Sequence, residues 1–394
     1  MSESRQRPAA VVRSELVADL QSEGVLLVED GNHGESRPRR HEFVDDGVAF
    51  VRAADMNGGG VDFSRTSHIS GEARERIRKG IGMPGDVLLS HKGTVGKVSY
   101  VPIDAPPFVC SPQTTFYRSL DPDRLDQRYL YYFLQSPAFV AQLTSRKSET
   151  DMADYVSLTA QRQLRIVLPP VEEQRRIAGV LGALDDLASF SDKLATWVDE
   201  IAAARYKVAA REMPLVAASE LGSWTMGQSP PGDSYNQDGF GTVFYQGVRD
   251  FGHRYPTPRV SCTAPTRIAD QGDILVAVRA PVGAINVATE RTAIGRGLAA
   301  LKADLPSLSL RALTVDGEVW RTHRGTGTVF ESINKRDLLA LRVPYRYDLE
   351  LDAELAVMDS AHRSLTEEVN DLRRTRDELL PLLMSGRVRV GEVS

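Results

Sequence analysis

The sequence has little of what usually announces a chemistry. Only two cysteines occur in 394 residues, Cys110 and Cys262. So few thiols exclude a disulfide framework and fit a reducing cytosol. The seven histidines are scattered without metal-ligand spacing. No apolar run approaches the roughly 20 residues of a membrane span. No apolar stretch follows basic residues at the N-terminus, so no signal peptide is expected and the chain is read as cytoplasmic. G-x-S-x-G and H-E-x-x-H are both missing.

Three strings imitate catalytic motifs and fail. Gly80-Ile81-Gly82-Met83-Pro84-Gly85 fits G-x-G-x-x-G, but strand residues follow it where a dinucleotide site needs a helix. In Gly93-Thr94-Val95-Gly96-Lys97, His91 stands where a phosphate loop needs its first glycine and Val98 where it needs Ser or Thr. Ala105-Pro106-Pro107-Phe108 carries alanine where an amino-methyltransferase needs a polar residue. The chain holds no legible catalytic constellation. A hydrophobic content of 42% and a length suited to two or three domains describe a globular protein with ample core. The net charge of −5 does not favour nucleic acid globally.

Long helices are what the chain has instead. From Val171 the sequence reads at helical spacing for about forty residues, with no proline before Pro214. Ile177, Val180, Leu184, Leu187, Leu194, Val198, Ile201 and Val208 fall on alternating three- and four-residue steps, a heptad seam interrupted at Ser191 and Arg205. Leu355, Met358, Leu365, Val369, Leu372, Leu379 and Leu383 repeat the pattern, interrupted at His362 and Arg376. Two helices of matched register should pack on each other. The two arginines either fix the register or snorkel to the edge of the seam.

The segments before these helices form a repeat. Gly85, Asp86, Lys92, Val95 and Gly96 shift by 187 residues onto Gly272, Asp273, Arg279, Val282 and Gly283. Ser157, Leu164 and Pro169 shift by 175 onto Ser332, Leu339 and Pro344. Residues 1–15 read as polar and frayed. One unit, a globular module followed by a long helix, is duplicated, and its loops diverge.

Basic residues are concentrated on those loops. From Arg65 to Lys97 there are seven Lys/Arg against three Asp/Glu. Lys92 and Arg279 place a cation at one repeat position twice, in a glycine loop that lets backbone approach a ligand. Contact with nucleic acid and a fold-stabilising ion pair both remain open for this pair.

Three strings resemble the specificity subunit of type I restriction-modification enzymes. They are Leu168-Pro169-Pro170-Val171-Glu172-Glu173-Gln174-Arg175-Arg176-Ile177-Ala178, the tail Leu379-Leu380-Pro381-Leu382-Leu383-Met384-Ser385-Gly386-Arg387-Val388, and a set in the second module. That set is Met226-Gly227-Gln228-Ser229-Pro230-Pro231, Gly272-Asp273-Ile274-Leu275, Val278-Arg279-Ala280-Pro281-Val282-Gly283 and Ile294-Gly295-Arg296-Gly297. The resemblance implies a mixed α/β fold: two tandem target-recognition domains separated by two long antiparallel coiled-coil helices, in a pseudo-twofold internal repeat. The domains are 1–168, then a central conserved helix 169–213, a second domain 214–345, a C-terminal conserved helix 346–385 and a tail 386–394. It implies a non-catalytic chain in which each module reads one half of a bipartite double-stranded DNA site. Two methyltransferase subunits dock on the conserved regions and carry the cofactor S-adenosylmethionine, and restriction subunits join them. The chain itself binds no cofactor and no metal. The second pre-helix segment, Val343-Pro344-Tyr345-Arg346-Tyr347, lacks the Pro-Pro-x-Glu-Glu-Gln string.

On this reading the DNA-contacting candidates in module one are Arg52, Lys92, Thr94, Lys97, Gln113 and Lys147. In module two they are Gln246, Arg249, Arg279, Arg296, Thr326 and Lys335. The rival classes are a single-chain methyltransferase or nuclease with unrecognised motifs, and a coiled-coil scaffold without DNA preference.

Overall fold

The computed structural model describes residues 13–147, 154–315, 317, 319–320 and 332–391. The chain divides into two compact units, Ser189–Val369 and the remainder on either side of it.

The first unit is built on two sheets. A four-stranded antiparallel sheet takes Leu26–Asp30, Thr114–Ser119, Val87–Ser90 and Val98–Tyr100 in that spatial order. A five-stranded sheet takes Phe43–Val44, Ser67–Ile69, Val48–Val51, Phe108–Cys110 and Ile81–Gly82, with Val48–Val51 parallel to Phe108–Cys110. Its central strands are continuous apolar runs with few exposed positions, as strands covered on both faces must be. Helices Gln127–Gln135 and Pro137–Ser145 cover the first sheet with Tyr129, Leu130, Tyr132, Phe133, Phe139 and Leu143, all buried. Ser136 caps the second of these helices and Pro137 opens it, where a missing N–H is harmless.

The second unit repeats this topology strand for strand. Its four-stranded order is Gly222–Met226, Leu298–Ala303, Ile274–Ala277, Ile285–Val287. Its five-stranded order is Tyr235–Asn236, Ser261–Cys262, Thr242–Tyr245, Thr292–Ile294, Ile268–Ala269, again with one parallel pair in the middle. Only the first unit adds a hairpin, Met56–Asn57 with Gly60–Val61, among the described residues.

Both repeat offsets can be checked in the backbone. The 187 offset holds. Gly85 and Gly272 have φ of +85° and +89°, and Asp86 and Asp273 each accept from the amide three residues earlier at 2.7 and 2.8 Å. The Gly-Asp pair is therefore a turn whose backbone demands glycine. The 175 offset is corrected to 177. Val156 N–H donates to His91 at 2.9 Å, and Ile333 to Val278 at 3.0 Å. Ser157 and Asn334 are then equivalent helix N-caps, and Leu164 matches Leu341, their carbonyls accepting from the amides of Val17 and Ala218, the first residue of each module's opening short helix, at 2.9 and 2.8 Å. The shorter offset had matched letters two residues out of register.

Of residues 1–15, read from the sequence as frayed, 1–12 lie outside the described residues and 13–15 are ordered. Arg13–Leu16 is a strand paired with Arg165–Leu168, as Leu215–Ala217 is with Arg342–Pro344. Such short strands carry little periodicity, so only the partner reveals them. Each module thus closes on the segment that feeds the next long helix.

Those helices are Val171–Ala210 and Leu349–Met384. Forty residues make the first about 60 Å long. Within each unit they run antiparallel. Arg376 meets Asp185 at 2.8 Å in the first unit; Ser191 meets Glu368 at 3.1 Å and Arg205 meets Glu354 at 2.9 Å in the second. The arginines that interrupt the seam therefore cross to acids on the facing helix. The seam itself is shifted by about one residue from the expected one. On the central helix it uses Ala188, Ser191, Ala195, Ala202 and Tyr206, all buried, which let the helices approach closely. Leu187, Ile201 and Val208, expected inside, are exposed.

Each module also grips the helices through charge. In the first unit Tyr132 donates to Asp185 at 2.7 Å, and Arg128 pairs with Asp186 while donating to the Gly182 carbonyl at 3.1 Å. A Cβ on Gly182 would lie 2.7 Å from that guanidinium, so the mid-helix glycine is the notch Arg128 passes through. In the second unit the buried Arg254 and Arg311 share Asp199 and Asp359, one acid from each long helix. Gln174, the last residue of the Pro-Pro-x-Glu-Glu-Gln string, is fully buried. It donates to the carbonyls of Arg124 and Pro169 and accepts from the Asp126 amide at 2.9 Å. In the second unit Asp352 takes the comparable place, accepting from the Leu308 amide at 2.8 Å.

Candidate nucleic-acid interface

In module one the candidate residues gather around one sheet end through backbone contacts. The Ser111 amide donates to Val51 at 2.8 Å, which sets Arg52 beside the loop carrying Gln113. The His91 amide donates to Gln113 at 2.9 Å and the Gly93 amide to Asp154 at 3.0 Å, so Lys92 and Thr94 stand beside both. Lys147 joins by pairing with Asp154 at 2.7 Å. Lys92, Thr94 and Gln113 are exposed.

Three of the six have other work. Lys97 places its ammonium on the carbonyls of Ala53 and Met56, both at 3.1 Å, and 3.5 Å from Asn57 Oδ1. It ties down the 53–57 loop, so its charge is directed into the fold. Arg52 answers the buried Asp55 at 3.4 Å, and Lys147 is held by Asp154. Sequence spacing cannot separate such cations from free ones, because the carbonyls that bind Lys97 lie more than forty residues away in the chain.

In module two the convergence is tighter. Gln246, Arg249, Arg279 and Arg296 all line one depression of about 360 Å3, together with Gly247, Val248, Asp250, Arg259, Ala280 and Gly297. The four candidates are exposed, and their strands end side by side because glycines permit it. A Cβ on Gly297 would sit 2.5 Å from the Gln246 carbonyl, and one on Gly295 would sit 3.0 Å from Gln246 Cα. The Gly295-Arg296-Gly297 string is thus the backbone device that brings Arg296 against Gln246. Arg279 bridges Ser332 as Lys92 bridges Tyr155, so these cations are equivalent in fold as well as in spacing.

Arg259 escaped the sequence reading. It pairs at 2.7 Å with Asp250, whose side chain is 2% exposed. Among the described residues no carboxylate pairs with Arg249, Arg279 or Arg296, which leaves the depression rich in uncompensated positive charge. Lys335 is exposed at the first turn of helix Lys335–Ala340 and does not line it. Thr326 lies outside the described residues.

Behind the exposed cations the modules differ. In module one His91 Nδ1 lies 2.7 Å from Thr115 Oγ1, Gln161 donates to Thr115 at 3.1 Å, and Tyr117 donates to Gln161 at 2.9 Å. Burial lowers the His91 pKa to about 4, so the ring is neutral. Among the described residues no group of three His, Cys, Asp or Glu could hold a metal ion, and no helix is long and apolar enough to cross a membrane.

Two like modules with diverged, cation-bearing loops, each feeding a long helix, make a duplicated mixed α/β architecture. Known proteins are similar to it. Residues 33–195 match the model of the type I restriction modification DNA specificity domain. A candidate type I restriction enzyme MjaX specificity subunit of Methanocaldococcus jannaschii is 27% identical over 380 residues, 87% of this chain and 88% of that one. The crystal structure of the type I restriction-modification S subunit from M. genitalium shares the fold, with a TM-score of 0.57 at 14% identity, covering 96% of this chain and 97% of that one. The HsdS subunit from Thermoanaerobacter tengcongensis is 25% identical, with 98% and 100% covered and a TM-score of 0.37. The chain is thus similar to type I restriction-modification specificity subunits, through the domain matched at residues 33–195 and through a relative aligned over most of its length.

Proposed function

We infer that the chain is the DNA-specificity subunit of a type I restriction-modification system, each module reading one half of a bipartite site. One observation carries this reading: the same two sheets, in the same strand order, occur twice with different side chains at the same loop ends. A duplicated frame with diverged loops serves two different targets. Cations and amides at those ends suit phosphates and base edges. Lys92, Thr94 and Gln113 in module one and Gln246, Arg249, Arg279 and Arg296 in module two are its principal contacts. Arg52, Lys147 and Lys335 are peripheral ones.

Catalysis belongs to partners. Two methyltransferase subunits carrying S-adenosylmethionine dock on the conserved helices, restriction subunits join them, and the assembly works in the cytoplasm. The two long helices set the spacer between the half-sites. The outer face of the central helix supports such docking. Leu187, Phe190, Trp197, Ile201 and Val208 are 45% to 61% exposed and, with Leu194 and Ala204, form an unbroken apolar heptad stripe. That is the seam a partner helix fills. Trp197→Glu is expected to abolish co-purification of the methyltransferase subunit while leaving the chain folded; unchanged co-purification would refute docking there.

The test of the reading is methylome sequencing of cells expressing the chain with its methyltransferase subunit, against the methyltransferase alone. A methylated bipartite motif appearing only with the chain is the expected result. Identical methylation in both cells would overturn it.

A further inference from the structure

We propose that Arg249, Arg279 and Arg296, which line the depression of module two, seat the sugar-phosphate backbone of the DNA and do not read bases. The inference rests on the DNA-binding reading above and assigns a ligand chemistry to one part of it.

Shape decides between the two kinds of contact. A side chain that reads a base edge must project into a groove about 8.5 Å deep. Here the surface is concave. Its volume is about 360 Å3, and Gly247 and Gly297, which lack side chains, lie between the cations. A concave surface receives a ridge, and the ridges of a duplex are its phosphodiester strands. Charge agrees. Asp250, the one acid in the lining, is answered by Arg259 at 2.7 Å, which leaves Arg249, Arg279 and Arg296 as a surplus of three positive charges. Phosphate contacts fix register on DNA without carrying sequence. Module one lacks this arrangement. Its equivalent of Arg279 is Lys92, and its equivalent of Arg296 is Pro112, placed by the matching Ser111 and Gly295 amide bonds. At these two positions module one therefore keeps one cation where module two has two.

The experiment uses the complex of the chain with its methyltransferase subunits. It measures affinity against salt on the cognate duplex and base preference on duplexes randomised in the second half-site. Arg249→Ala, Arg279→Ala and Arg296→Ala should each flatten the slope of log K against log salt by about 0.9 and leave the preferred sequence unchanged. Arg279→Lys should keep the slope, because a phosphate accepts a point charge, whereas a bidentate contact to guanine would be lost. Relaxed preference at a single base pair, or alanine variants with unaltered slopes, would overturn the proposal. A wild-type complex that binds no duplex would overturn the DNA reading itself, and this proposal with it.

Discussion

The two modules share a backbone and differ in what fills it. His91, Thr115, Tyr117 and Gln161 of module one form a buried hydrogen-bonded set. The strand registers place Val278, Ala299 and Leu301 at the first three positions in module two, and the helix caps place Leu338 at the fourth, all buried and apolar. One frame thus accepts either a polar network or an aliphatic core behind the same exposed cation. A polar network holds its members in one geometry but is intolerant of loss. An aliphatic core tolerates exchange. Module one is accordingly expected to be the more fragile half.

The largest expected effect uses the shared turn aspartate. Asp86 is 1% exposed and holds Arg118 through two bonds of 2.7 and 2.8 Å, besides its amide. Asp273 mainly holds its amide. Asp86→Ala should lower the stability of module one by about 3–5 kcal/mol, since it leaves a half-buried guanidinium unpaired. Asp273→Ala should lower that of module two by about 1 kcal/mol. Thermal unfolding followed for each module separates the two. Equal losses would erase the contrast.

Acid should give the next largest effect. The His91 pKa falls from 6.5 to about 4 on folding, through burial first, with Lys92 adding to it and Asp30 opposing it. Its folded value is depressed, so the unfolded chain binds more protons below pH 6.5. The contribution of about 3 kcal/mol is present above pH 6.5 and is lost as pH falls toward 4. Replacing the quartet by its module-two counterparts (His91→Val, Thr115→Ala, Tyr117→Leu, Gln161→Leu) should remove this step from module one. His362, also lowered to about 4 by burial and by Arg254 and His253, should keep a second step in the other unit. Denaturant titrations between pH 4 and 7 read both. An unchanged slope in the quadruple variant would assign the acid sensitivity elsewhere.

The smallest effect sharpens the comparison at the loops. Gly297→Ala pushes a methyl to 2.5 Å from the Gln246 carbonyl and should cost about 1–3 kcal/mol in module two. The equivalent of Gly297 in module one is Gln113, fixed by the His91 and Val278 amide bonds, and Gln113→Ala should be nearly neutral. Differential scanning of both variants checks this pair.

Much of this organisation was legible in the chain. The duplication, the two long helices and the 187 offset came from residues whose types the backbone dictates, such as Gly85 and Gly272 at positive φ. Less legible was anything depending on small side chains. The helix seam is lined by Ala188, Ala195 and Ala202, which carry too little hydrophobicity to outrank Leu187 and Ile201 on the outer face. The 177 offset was hidden because Ser157 and Asn334 cap equally well with different letters. At the candidate interface, loop position singled out Gln246, Arg249, Arg279 and Arg296, and the fold brings these four to one depression. It could not show that Lys97 turns inward or that Arg259 neutralises Asp250, because those partners are set by folding.

The central claim is that each module reads its own half of one DNA site. Exchanging residues 214–345 for the second module of a relative, and mapping the methylated motif in cells, tests it most directly. The account predicts that one half of the motif changes while the other half and the spacer stay as they were. A motif that changes in both halves, or in neither, would contradict it.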